Sequence, residues 1–570
     1  MTIDPLTLEV FWSRLIAVVN EQAASLIRSA FSPTVAEAGD ISACAFDPRG
    51  YLIAQAVTGT PGHINSMARC IEHFLREYPP HTLAPGDVLV TNDPWKTSGH
   101  FHDVTVVTPI FKGDELAAFF GNICHVADIG GRPFSADARE LYEEGLFIPV
   151  TKLFDRGERN EELLKILRAN VRAPDAVIGD LYAMTAANDV GGDRLLAFMD
   201  EFGMDSIVPL ADEVIARSER AMRDAIALVP DGMYRNTVTM DGYDQPVTIE
   251  CAVTVRGDEL LVDYAGTSPE SGYGINVVMN YTEAYTTFGL KCALAPDVPN
   301  NEGSFRPVTI TAPEGCILNC RPPAPVAARH IVGQWLPSVV HGALYHAVPD
   351  RVLAEGASNL WITQFNGRWA PEPLPVGEAA QRAGEGSTTP DRFSLLFFNS
   401  GGMGARPTKD GLSSTAFPSG VQGTPAEIVE ARSPLMIHRR ELRTDSGGPG
   451  QYRGGLGHWL EISAPRAAGP YRFSPFFDRT VYPARGLGGG LPAAKGVYWL
   501  ERSDGTRETP NPKATVFVDP ETHIVIGLPG GAGVGDPRDR DRDSIREDLI
   551  NGLVSPDSAN RDYGADTSSL

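Results

Sequence analysis

The chain has 570 residues, with 49 Lys plus Arg against 72 Asp plus Glu, a net charge of −23 at pH 7. That balance argues against a nucleic-acid backbone or an anionic membrane as partner, and the length exceeds what one ordinary core accommodates, so about two to four lobes are expected. Seven cysteines with no CxxC pair point away from a disulfide framework or a zinc ribbon. The N-terminus lacks a basic segment followed by an apolar one, and no run of about 18 apolar residues occurs, so neither secretion nor a membrane span is expected and the reading is cytoplasmic.

Asp4 and Pro5 form a cap and first-turn signal ahead of Leu8, Phe11, Leu15, Val18, Val19, Leu26 and Ile27 at helical spacing, which predicts a long amphipathic helix ending near Ser32-Pro33. ISACAFD and YLIAQAV flank Pro48-Arg49-Gly50 as a hairpin, with Glu37 and Asp40 just before it. A helix is expected near 64–78.

The segments NDPWKTSGHFHDVTVVTPIF (92–111) and GNICHVADIGG (121–131) are the most informative in the chain. Each carries a His-x-x-Asp pair, His100 with Asp103 and His125 with Asp128. Val104–Phe111 and Leu116–Ile123 are β-branched or aromatic runs joined by the polar turn Lys112-Gly113-Asp114-Glu115, a hairpin signature that returns its outer ends to one place. Cross-strand neighbours have Cβ atoms on the order of 5 Å apart, close enough to share a divalent cation. A three-residue turn pairs Asp103 with His125, whereas a two- or four-residue turn puts His102 there, and a one-residue slip exchanges the faces of a strand. Mixed histidine and carboxylate ligation suits zinc, manganese or iron(II) rather than magnesium or calcium. Cys124 points to the face opposite His125 and reads as a buried structural cysteine.

Helical segments continue to about residue 229, with 207–228 amphipathic. From Gly232 the pattern turns to strands, including a hairpin around Arg256-Gly257-Asp258-Glu259. Residues 324–348 read as one buried helix that Pro337 kinks or restarts, and His330, His341 and His346 on it are given a core or interface role. Residues 366–425 read as ordered loops. Within them GGMGARPTKDG offers backbone amides, with Arg406 and Lys409 adding charge, as a candidate phosphate or cofactor site, although packed turns are the commoner meaning of such glycines. GGAGVG lacks the register of a phosphate loop, and the DPRDRDRD run reads as a solvated helix entry. The expected fold is α+β and multi-lobed: 1–231 a hairpin-rich N-terminal lobe with the metal site, 232–365 strands plus a buried helix, 366–530 a strand- and loop-rich, Gly/Pro-rich lobe, and 531–570 a tail helix.

Seven ordered segments give the chain a resemblance to the hydantoinase B/oxoprolinase family. They are SPTVAEAGDISACAFDPRGYLIAQ (32–55), NDPWKTSGHFHDVTVVTPIF, HVADIGG (125–131), PDVPNNEGSFRPVTITAPEGCILNCRPPAPVAAR (296–329), GGMGARPTKDG (401–411), ELRTDSGGPGQYRGGLG (441–457) and GDPRDRD (535–541). The resemblance implies a divalent metal held by His100, Asp103, His125 and a nearby acid, Glu37 or Asp40. It implies His102 or Asp128 as the group that moves a proton, with Asp128 alternatively a ligand or a partner that fixes an imidazole tautomer. It further implies a metal-site subunit of an ATP-dependent enzyme that opens a cyclic amide, such as a hydantoin, a 5-oxoproline-like ring or a lactam. No GxxxxGK[ST] occurs, so ATP is expected on a hydantoinase A-like partner in a hetero-oligomer. The alternatives are a subunit of an ATP-dependent ketone carboxylase using bicarbonate and a non-catalytic scaffold.

Overall fold

In the computed structural model, which describes residues 4–369 and 392–565, Asp4 caps the helix Pro5–Ser29, its carboxylate accepting from the amides of Leu6 and Thr7 at 3.1 Å each. Leu8, Leu15, Val19, Ala23 and Leu26 line its buried face. It packs on the helix Pro174–Glu201, and both lie against a seven-stranded antiparallel sheet. The strands are β1 (Ile41–Phe46), β2 (Leu52–Gln55), β3 (Val88–Thr91), β4 (Asp103–Lys112), β5 (Glu115–His125), β6 (Thr151–Asp155) and β7 (Glu158–Arg159), in the order β2-β1-β5-β4-β3-β6-β7. The helix Pro61–Glu77 covers the opposite face. Both faces are therefore dry, and period-two alternation sorts the side chains: Val106, Phe120 and Cys124 join one core while Val107, Phe119 and Ile123 join the other. Cys124 is buried, as its place beside His125 predicts.

The turn between β4 and β5 has two residues, Lys112 pairing with Glu115 across Gly113-Asp114. A register shift between Ile110 and Phe111 then inserts one extra residue on β5, so Asp103 pairs with His125 after all. The expected pairing thus arises from a short turn plus a bulge rather than from a three-residue turn.

A second sheet, β11-β10-β9-β8, comprises β8 (Gly232–Met240), β9 (Val247–Arg256), β10 (Glu259–Asp263) and β11 (Val308–Thr311), with β10 and β11 parallel. The amphipathic helix Val208–Ala227 packs on β10. The single helix expected over 324–348 is two short ones, His330–Gly333 and Leu336–Leu344, because Pro337 supplies no amide donor and restarts the helix at its first turn.

Two further antiparallel sheets face each other across a core of Trp361, Phe365, Phe397, Ile462, Phe473, Ile524 and Ile526. One is β13-β12-β16-β19, built from β12 (Trp361–Arg368), β13 (Arg392–Asn399), β16 (Tyr471–Phe476) and β19 (Val516–Val518). The other, β14-β15-β20-β17-β18, is built from β14 (Met436–Leu442), β15 (His458–Ser463), β17 (Val497–Glu501), β18 (Arg507–Glu508) and β20 (His523–Gly527). Strand β13 falls inside the stretch expected to be loops; residues 370–391 of that stretch lie outside the described residues.

The glycine-rich segments form a third kind of layer. Extended lines at 401–405, 446–457 and 528–535 hydrogen-bond one another, Gly402 N to Pro529 O at 3.0 Å, Gly455 N to Met403 O at 2.8 Å and Gly531 N to Gly455 O at 2.9 Å. A Cβ on Gly404 would meet the Ala354 carbonyl oxygen at 1.8 Å, and one on Gly454 would meet that of Gly531 at 1.8 Å. GGAGVG is therefore packing, with glycine needed for backbone-to-backbone approach. The acidic tail is only partly solvated: Arg540 and Asp548 are buried, and Arg540 bonds Asp410 and Asp548 while Arg453 reaches Asp548 at 3.1 Å.

Candidate metal centre

The outer ends of β4 and β5 bring together His100, Asp103 and His125, whose ligand atoms lie within 4.8 Å of one another, all buried. His100 Nε2 is 2.7 Å and His125 Nδ1 3.3 Å from Asp103 Oδ1. The other carboxylate oxygen, Oδ2, accepts from Ser98 Oγ at 2.6 Å and from Arg329 Nη2, and His63 Nε2 lies 2.8 Å away. Burial opposes ionisation of Asp103, but the Arg329 charge beside it holds its carboxyl well below the ordinary carboxylate range.

His100 carries the most telling contradiction. Burial, then the Arg329 charge, lower its pKa to about 3, so the ring is neutral and has one proton. That proton sits on Nδ1, which donates to the Ala327 carbonyl at 2.8 Å. Nε2 then presents a lone pair to a carboxylate oxygen at 2.7 Å. Two acceptors at that separation repel unless a cation lies between them, and a borderline nitrogen with a hard oxygen is a donor set that divalent zinc, manganese or iron accepts. The residues present therefore fit a metal ion.

The Ala327 carbonyl that orients His100 is itself fixed: Glu144 Oε1 accepts from the amides of Val326 at 2.7 Å and Ala327 at 2.9 Å. Burial pushes the Glu144 carboxyl up to about 8.

Asp40 is buried at the rim, its oxygens 3.8 Å from His125 Nδ1 and 3.7 Å from His63 Nδ1. Glu37, an exposed residue at the end of the short helix Pro33–Ala36, is not brought to the cluster. His102 is buried with its ring stacked on His125 at 5.3 Å, and its Nδ1 has no hydrogen-bond partner. Asp128 is instead tied to the backbone amide and guanidinium of Arg172. Arg406 closes its own turn, Nε and Nη2 donating to the Asp410 carbonyl at 3.0 and 2.6 Å, and Lys409 is exposed on that turn. Among the described residues no hydrogen bond, ion pair or ring contact joins either to the cluster.

Sequence reasoning passed over His63, Ser98, Arg329 and Glu144. Arg329 closes a quoted motif and His63 stands in the first turn of a helix, but 40 and 226 residues separate them from Asp103, and only the fold joins them. His330, assigned to core, is buried beside this cluster with Nε2 unpartnered.

A buried His/Asp centre on a hairpin, in a protein of mixed helices and several sheets, defines a candidate metal-dependent enzyme component. The chain belongs to the hydantoinase B/oxoprolinase family, whose model it matches over residues 4–537. It is 30% identical to the B component of a putative D-/L-hydantoinase of Pseudomonas sp. over 99% of this chain and 95% of that one. It is also 30% identical to the beta chain of the caprolactamase of Pseudomonas jessenii, over 99% and 96%. Against 5-oxoprolinase 1 of Arabidopsis thaliana it is 29% identical, spanning 93% of this chain but 42% of that protein. The fold matches that of the ATP-dependent caprolactamase from Pseudomonas jessenii with a TM-score of 0.84 at 28% identity, covering 100% and 98% of the two chains. It also matches a nucleotide-free acetone carboxylase at 0.85 and 18% identity, a likeness of fold alone, covering 98% and 79%. No helix among the described residues is long and apolar enough to cross a membrane.

Proposed function

We propose that this chain is the metal-site subunit of an ATP-dependent amidohydrolase that opens a cyclic amide (a hydantoin, a 5-oxoproline-like ring or a lactam) after a hydantoinase A-like partner subunit has phosphorylated the amide oxygen. The observation that carries the reading is the buried His100, Asp103 and His125, whose ligand atoms lie within 4.8 Å of one another, with His100 Nδ1 engaged by the Ala327 carbonyl and Nε2 2.7 Å from Asp103 Oδ1. His100, Asp103 and His125, with Asp40 beside them, hold the ion, and zinc, manganese or iron(II) suits the donors. When bound, such an ion supplies Lewis acidity and lowers the pKa of water towards about 7.

The chain's own residues do the rest. Arg329, Ser98 and His63 occupy Asp103 Oδ2, so only Oδ1 is turned to the ligand cluster. Glu144 fixes the Ala327 peptide, which fixes the His100 tautomer. His102, buried and stacked on His125 with Nδ1 unpaired, is placed to hold or pass a proton. Asp128, tied to Arg172, anchors the loop after β5 and takes no part in proton transfer. An unstrained amide resists water at neutral pH, so activation by a partner and attack at this centre divide the work.

The test is co-expression with a hydantoinase A-like ATP-binding subunit, metal analysis of the complex, and assay of ADP release with a hydantoin, 5-oxoproline and a lactam. Ring opening that requires ATP and is lost in a folded, assembled His125→Ala complex is expected. Bicarbonate-dependent carboxylation of a ketone, or full activity of the metal-free complex, overturns the reading.

A further inference from the structure

The cluster is asymmetric. Its carboxylate side is filled by Asp103, Asp40, His63, Ser98 and Arg329. On the imidazole side stands Phe134, on the loop after β5. Its ring lies edge-on to His125 at 5.4 Å and 76° and to His100 at 5.8 Å and 71°, and it is tilted against His102 at 4.7 Å. Behind it, Phe476 at the end of β16 stacks on Phe134 at 4.6 Å and 28°, with His330 5.5 Å from Phe476. Phe134 is only 5% exposed, so a ligand cannot approach the three imidazoles from this side while its ring stays there.

The surroundings of that ring have a definite chemistry. Two polar atoms on imidazoles in ring contact with it, His102 Nδ1 and His330 Nε2, are buried without hydrogen-bond partners, a state that ordinarily signals an absent ligand or water. An amide carries one donor and one acceptor, the number needed to satisfy them.

We propose that Phe134 gates this site: its ring holds the place that the substrate's ring takes over against Phe476, so a cyclic amide of about phenyl size reaches the imidazoles as that ring gives way. This rests on the metal-site reading above and deepens it.

The experiment uses the full chain loaded with Mn(II), whose paramagnetism broadens the proton resonances of anything bound beside it and reports water access through solvent relaxation. Wild type, Phe134→Ala and Phe134→Leu are compared, with δ-valerolactam as probe. In Phe134→Ala water relaxivity rises, and the lactam ring protons broaden at about tenfold lower lactam concentration, the factor expected when a group that occupies the site no longer competes for it. Phe134→Leu, which retains most of the packing volume, falls between the two and carries the comparison if the alanine variant does not fold. Equal lactam broadening and equal relaxivity in loaded wild type and variants overturn the role of Phe134. A chain that takes up no Mn(II) removes the metal reading and this proposal together, and metal analysis distinguishes that case from the others.

Discussion

Replacing Arg329 by Met tests the electrostatic logic of the cluster. The guanidinium is 4% exposed, bonds Asp103 Oδ2 and the Ser98 carbonyl, and lies 4.2 Å above the Tyr281 ring. Asp103 is itself fully buried, so removing its cation leaves an uncompensated charge, a loss of about 3–5 kcal/mol. The stacked cation over Tyr281 adds about 1 kcal/mol. In metal-free protein the melting temperature should fall by about 3–5 °C, from about 2.1 cal/mol/K of unfolding entropy per residue. A divalent cation then supplies the missing charge: with Arg329 gone, one repulsive neighbour of the ion is removed. Metal affinity should rise, and the melting gap between variant and wild type should narrow in saturating Zn(II) or Mn(II). Differential scanning fluorimetry and isothermal titration on the pair provide the check. A metal-free melting temperature within about 2 °C of wild type, or a gap that widens with metal, would refute the reasoning.

Asp128→Ala should leave metal stoichiometry unchanged while lowering stability by about 1–3 kcal/mol, because its carboxylate satisfies the Arg172 amide and guanidinium; metal loss in a folded variant would return it to the ligand set. Asp40→Ala should weaken metal binding by about 10–100-fold and Glu37→Ala should not, as read by competition with a chromophoric chelator. Glu144 has a folded pKa raised to about 8 by burial. Between its ordinary value and about 8 the unfolded chain has lost this proton and the folded one keeps it, so stability falls as pH rises through that window. Glu144→Gln removes that dependence while keeping an acceptor for Val326 and Ala327, so its melting temperature relative to wild type should climb from pH 5 to pH 8. Gly404→Ala, whose Cβ would stand 1.8 Å from the Ala354 carbonyl oxygen, should abolish soluble expression or cost more than about 4 kcal/mol.

Much of the fold was legible because local rules coincide with tertiary need. The cap at Asp4, the hairpin around Pro48-Arg49-Gly50, the β4–β5 hairpin and the β9–β10 hairpin all stand where pattern and turn chemistry place them. The glycine-rich segments misled for a physical reason: a glycine that admits a neighbouring backbone and one that admits a phosphate look identical in sequence. Strand β13 was missed because an alternating run beside a Gly/Pro-rich stretch carries little periodic signal of its own.

For the site, residue chemistry and spacing brought His100 and His125 to one end of a hairpin with Asp103 and His102 as rivals between them, since a hairpin returns its ends whatever the rest of the chain does. The register that settles Asp103 over His102 depended on a bulge, a single extra residue that no turn rule specifies. His63, Arg329, Glu144, Phe134 and Phe476 reach the cluster from segments far apart in sequence. Only the packing of three sheets and their helices fixes such long-range neighbours, because burial rewards the whole arrangement and no local preference in those segments encodes it.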